Sequence, residues 1–129
     1  DFFYSKCEMT EMKGKYATRF KNFPLVNPDF IYLDGPDQFN IQGKIRNFTI
    51  SHKDMMPMVS DILNIEYFLT PGTIILVDGR TANARFLKDN FKRKWTYKQF
   101  DDLDINIFFL NEKPLGSYNK KQLQFYKFI

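Results

Sequence analysis

Two short apolar runs that each close on Asp-Gly constrain this chain more than any other feature: Asp29-Phe30-Ile31-Tyr32-Leu33-Asp34-Gly35 and Thr73-Ile74-Ile75-Leu76-Val77-Asp78-Gly79. A brief apolar run rich in β-branched residues and bounded by turn signals reads as a buried strand of a parallel sheet. The stretch between the two runs is long enough for a helical crossover, which parallel pairing requires. Right-handed crossovers point both strands the same way, so Asp34 and Asp78 emerge on one edge, where open α/β sheets bind ligands.

The remaining segments fit an α/β order. Phe2 to Tyr4 reads as the end of a strand, and the polar stretch 5–22, with no clean period, as a loop or short helix. Residues 38–52 read as a broken helix or a long loop at the sheet edge. Met55, Met58, Val59, Ile62, Leu63, Tyr67 and Leu69 recur at three- and four-residue steps behind Asp54, which predicts a helix over about 54–69 ending at Thr70-Pro71-Gly72. Ala84, Leu87 and Phe91 share one face of a second helix over 81–91. Residues 94–100 and 105–110, joined by a turn at Asp101-Asp102, read as a closing strand pair. With 129 residues, 43% of them hydrophobic and 15 of them Phe, the chain can bury one core, so the expectation is a single α/β domain over 1–129.

Composition narrows the function classes. A single cysteine, Cys7, forms no internal disulfide and no metal cluster, which points to a reducing, cytoplasmic setting. No apolar stretch approaches the ~20 residues of a membrane-spanning helix. The net charge of +4 is small and spread along the chain, which argues against a nucleic-acid partner. Lys88, Lys92, Arg93 and Lys94 beside Trp95 and Tyr97 are the pattern that single-strand binding would use, but they equally fit a helix C-terminus with cations followed by a strand.

Neighbouring parallel strands lie about 5 Å apart, so Asp34 and Asp78 converge. A carboxylate pair of that kind can hold Mg²⁺, act as general base, or bind a hydroxyl. It equally suits two acids that cap the turns behind them. Gly35 and Gly79 fit a sharp turn with positive φ or the close approach of a ligand. His52 is the lone candidate imidazole for proton transfer, with a solvated loop histidine as the alternative. Arg80 can pair with an anionic substrate group or with Asp78 or Asp37 on the surface.

The two Asp-terminated runs, with Leu69-Thr70-Pro71-Gly72 before the second, resemble strands four and five of class I S-adenosylmethionine-dependent methyltransferases, and 94–110 resembles the antiparallel pair that closes their sheet. The likeness covers about residues 1–112. It implies a three-layer Rossmann-like α/β fold of which this chain, starting in mid-domain, is the C-terminal half. It also implies S-adenosylmethionine as cofactor, a small-molecule acceptor, and Asp34 and Asp78 as the catalytic acids. In the metal-dependent O-methyltransferases of that fold the two acids bind Mg²⁺ and an Asn often follows the second; here Gly79 follows and Asn83 lies further on. Related members carry an Asp-Gly-Asp-His turn after strand four, against Asp34-Gly35-Pro36-Asp37 here. That makes Asp37 an extra candidate ligand and leaves the His without a counterpart. The family's Gly-rich turn and the acid of strand two, which hold the cofactor, have no match in the sequence. Two expectations follow. Either the chain serves methyl transfer to a hydroxyl acceptor, with Asp37, Arg80 and His52 on the substrate side, or it is a non-catalytic module that self-associates through its sheet edge as a homodimer.

Overall fold

The computed structural model describes residues 1–126. It is a mixed α/β structure with two open sheets. The first sheet begins with an antiparallel hairpin of β1 (Cys7–Met12) and β2 (Lys15–Phe20). Lys13 and Gly14 turn it with φ of 49° and 80°, the two-residue geometry that matches strand twist. The stretch expected to be loop or short helix is therefore a β-hairpin. Its inward residues, Cys7, Met9 and Ala17, are buried while charged residues occupy the outer face. Phe2 to Tyr4 is exposed and outside any strand.

The second sheet holds β3 (Phe30–Leu33), β5 (Ile74–Asp78), β6 (Trp95–Phe100) and β7 (Ile105–Leu110) in the order β3-β5-β7-β6. β3 and β5 run parallel, while β7 pairs antiparallel with both β5 and β6. The short β4 (Ile41–Gln42) sits between these strands in sequence and joins the first sheet parallel to β1.

The first crossover is less helical than its period suggests. Only α1 (Asp61–Ile65) and a 3-10 turn over Glu66–Phe68 form within it. Pro57 biases Met56 before it toward extended backbone. Residues 58–60 instead run beside β2. Thr18 N–H donates to the Met58 carbonyl at 2.9 Å and Ser60 N–H to the Thr18 carbonyl at 2.9 Å. The helix starts at Ser60, not Asp54. The second crossover is α2 (Thr81–Asn90), close to expectation.

α1 and α2 cover one face of the second sheet. Leu33, Ile75, Val77 and Phe108 of the strands pack there against Ile62, Ala84 and Leu87 of the helices, with Val59 completing the cluster. On the opposite face of β3, Phe30 and Tyr32 stay 54% and 55% exposed. α3 (Gly116–Tyr126) docks at the turn before β5, where the Asn119 side chain donates to the Pro71 carbonyl at 3.0 Å. No helix among the described residues is long and apolar enough to cross a membrane.

A polar lock stitches the far end of this sheet. The Glu66 carboxylate, 5% exposed, accepts the backbone N–H of Lys92 and Arg93 at 3.0 Å and the Trp95 indole N–H at 2.8 Å. Arg93 forks onto Glu112 at 2.6 and 3.2 Å, and its guanidinium holds the Glu112 carboxyl below the usual range. Trp95 stacks on Phe91, and the Tyr97 hydroxyl donates to Asn106 at 2.5 Å. The aromatic residues of the basic segment are thus spent on the core and are not available to stack bases.

Candidate functional site

The register fixes how the two acids meet. β3 pairs with β5 as Ile31 with Ile75, Tyr32 with Leu76 and Leu33 with Val77. Continued by one residue, it sets Asp34 beside Asp78. Side chains alternate along a strand, so while Leu33 and Val77 enter the core, Tyr32, Asp34 and Asp78 share the opposite face. The Tyr32 hydroxyl donates a hydrogen bond to Asp78 Oδ2. That bond, then partial burial and the nearby charges of Asp78 and Asp34, push the Tyr32 phenol up to about 12. Tyr32 therefore stays neutral and a donor throughout the physiological range. Asp34 is exposed and accepts no hydrogen bond among the described residues.

A third carboxylate borders the edge. Gly79 N–H donates to the Asp104 carbonyl at 2.8 Å, and a Cβ on Gly79 would lie 3.5 Å from Asp104 Oδ2. Gly79 adopts φ of 62°, a backbone conformation that favours glycine whatever else lies nearby. Gly35 does not adopt positive φ, and nothing lies within 4 Å of the place its Cβ would take.

The other candidates are not drawn to the pair. Asp37 turns its own loop, accepting the Phe39 N–H at 2.8 Å and the Asn40 side-chain amide at 2.5 Å. His52 is exposed, and its Nδ1 accepts the Asp54 N–H at 3.1 Å. Arg80 precedes α2, and its side chain makes no hydrogen bond or ion pair among the described residues. Asn83 is buried, its amide oxygen 3.0 Å from Val59 N and its amide nitrogen 3.4 Å from the Val59 carbonyl, which leaves it nothing to offer a metal. Cys7 is buried, and burial pushes its thiol up, away from nucleophilic use.

A cation tests the donor set. Among the described residues no group of three or more His, Cys, Asp or Glu side chains can hold a metal ion. One oxygen of Asp78 already belongs to Tyr32. With that oxygen engaged, the pair would leave most of the coordination of a Mg²⁺ ion to water and substrate oxygens. What the arrangement can do is accept hydrogen bonds from a polar ligand at Asp34 while Tyr32 fixes Asp78.

Sequence reasoning missed Tyr32 and Asp104. Tyr32 was hidden inside an apolar run, although it is the one member of that run with a polar tip. Asp104 lies just past the Asp101-Asp102 turn. No protein-family model, characterised protein or solved structure matches the chain.

Proposed function

We propose that Asp34 and Asp78, with Tyr32, form the acceptor side of an S-adenosylmethionine-dependent methyl-transfer site in a Rossmann-like, three-layer domain. One observation carries this reading. Two parallel strands each end in an acid on the same face, and an antiparallel pair follows on the far side of β5, in the order the resemblance implies.

The cofactor, when bound, supplies a methyl carbon made electrophilic by its sulfonium. The residues of this chain act on the acceptor. A hydroxyl seated at the acid pair donates to Asp34, whose oxygens are open, and its proton is held there. The single O–H proton is spent on Asp34, so Asp78, fixed by the neutral Tyr32, is left to accept from a second donor of the acceptor molecule. Because a carboxylate is a weak base toward an alcohol, the contribution is chiefly orientation. The residues present do not form a cofactor cradle. The sequence has no Gly-x-Gly-x-x-Gly, and the first strands are an antiparallel hairpin.

Held from the acceptor side alone, S-adenosylhomocysteine is expected to bind weakly. Calorimetric titration should give a dissociation constant at or below about 1 mM, weakened by Asp34→Asn. Absence of heat at millimolar ligand removes the reading for this chain.

A second reading, a non-catalytic module that dimerises, is favoured by the open edge of β3. The Asp29 carbonyl accepts Ile74 N–H at 3.0 Å, so odd-numbered residues bond to β5, and the backbone groups of Phe30 and Tyr32 face outward. An uncovered edge pairs readily with another strand. Sedimentation equilibrium should then show a dimer that Phe30→Pro dissociates, and a wild-type monomer at high concentration would rule this out.

A further inference from the structure

An open cleft of about 710 Å³ lies between the two sheets' loops, within the size range of small-molecule sites. One wall is the segment leading into β1, including Tyr4 and Lys6, with Cys7 and Phe20 at its base. The other is the turn that follows β3, with Pro36, Asp37 and Phe39, so the cleft opens beside the end of the strand that delivers Asp34.

Three features give the cleft a chemical preference. Tyr4 and Phe39 are 86% and 64% exposed and make no ring contact within the described chain. Exposed aromatic faces on the walls of a concavity favour a planar ring, which can stack offset or edge-on. The charges of the lining are unequal in availability. Both oxygens of Asp37 are bound to the Phe39 N–H and the Asn40 amide. The Lys6 ammonium has no ion-pair partner among the described residues and keeps three donors for an incoming anion. The remaining polar lining, which includes Asn40 and Gln42, can hydrogen-bond neutral ring substituents.

We propose that this cleft binds a small aromatic anion, its ring against Tyr4 and Phe39 and its anionic group on Lys6. The shared chemistry is met by a mononucleotide, with base and phosphate, and by a hydroxylated aryl carboxylate. Binding here does not depend on methyl transfer and stands or falls separately from it.

The test is calorimetric titration of the full chain, without cofactor, using AMP in one arm and 4-hydroxybenzoate in the other, with neutral 4-hydroxybenzamide as control. At least one anion is expected to bind below about 1 mM, and which one does so identifies the source. Lys6→Gln should weaken that anion about tenfold, the effect of losing one charge-assisted hydrogen bond, and leave the neutral amide unchanged. Phe39→Ala should weaken anion and amide alike. Both side chains are exposed, so an unchanged circular-dichroism spectrum separates these effects from unfolding. Failure of both anions to bind, or binding that neither substitution alters, overturns the proposal.

Discussion

The Tyr32 phenol offers a direct test of the acid pair, because its proton reports on Asp78 without any substrate. An unperturbed tyrosine ionises near 10, and in this fold Tyr32 is pushed up to about 12. That is about a hundredfold stronger hold on the proton. The leading cause is the hydrogen bond to Asp78, with burial and the charges of Asp78 and Asp34 behind it. Carbon-13 labelling of the tyrosine ring at Cζ resolves the seven tyrosines in a pH titration, and Tyr32→Phe assigns the signal. Asp78→Asn should return the titration most of the way toward 10. Asp34→Asn should move it less, since Asp34 acts only through its charge. High salt should trim the part due to charge and leave the hydrogen bond, because the pair is exposed. The sign for stability follows from the raised value. The contribution of Tyr32 is complete below 10, and it is lost as pH rises from 10 toward about 12 while the unfolded chain ionises first. Asp78→Asn should abolish that loss. A Tyr32 signal that titrates near 10 in the wild type, or that Asp78→Asn leaves in place, would refute the geometry on which the candidate site rests.

Two further outcomes test the framework. Glu66→Ala orphans three N–H donors, those of Lys92, Arg93 and the Trp95 indole; at ~1 kcal/mol each, urea unfolding should show a loss of about 3 kcal/mol, and a loss under ~1 kcal/mol would mean that the lock is not made. Asp61 is buried and accepts the Phe20 N–H at 3.0 Å, and desolvation raises its carboxyl, so its contribution is present at low pH and lost as pH rises through the raised value. Asp61→Asn keeps an acceptor for Phe20 and should unfold at a higher temperature than the wild type at pH 7, with the gap closing near about pH 3; a gap that persists in acid would contradict this cause.

The second sheet was legible because β3, β5 and β7 are short apolar runs, while β6 shows as an alternation of aromatic and polar residues. The convergence of Asp34 and Asp78 was legible for the same reason: it needs only parallel direction and equal run length. The β1–β2 hairpin was not, because its outer face is charged and Ala17 and Thr18 are buried side by side, which breaks the two-residue alternation. Its one local signal was Lys13-Gly14. The helical period over 54–69 was misleading across its first half, since the same apolar residues serve an extended segment once Thr18 offers backbone partners and Pro57 biases Met56 toward extended backbone. Tyr32 was obscured by the assumption that an apolar run is buried on both sides. β3 is covered on one face only, so alternate residues of the run face outward and are free to meet Asp78.

The clasp of Val59 has a mechanical consequence. On one side residues 58–60 bond to β2 of the first sheet; on the other, the Asn83 amide of α2 grips both backbone groups of Val59. A helix side chain thus stands in for a neighbouring strand, and the two sheets are riveted through a segment that neither can release alone. Separating the sheets would therefore break the hydrogen bonds on both sides of Val59 together.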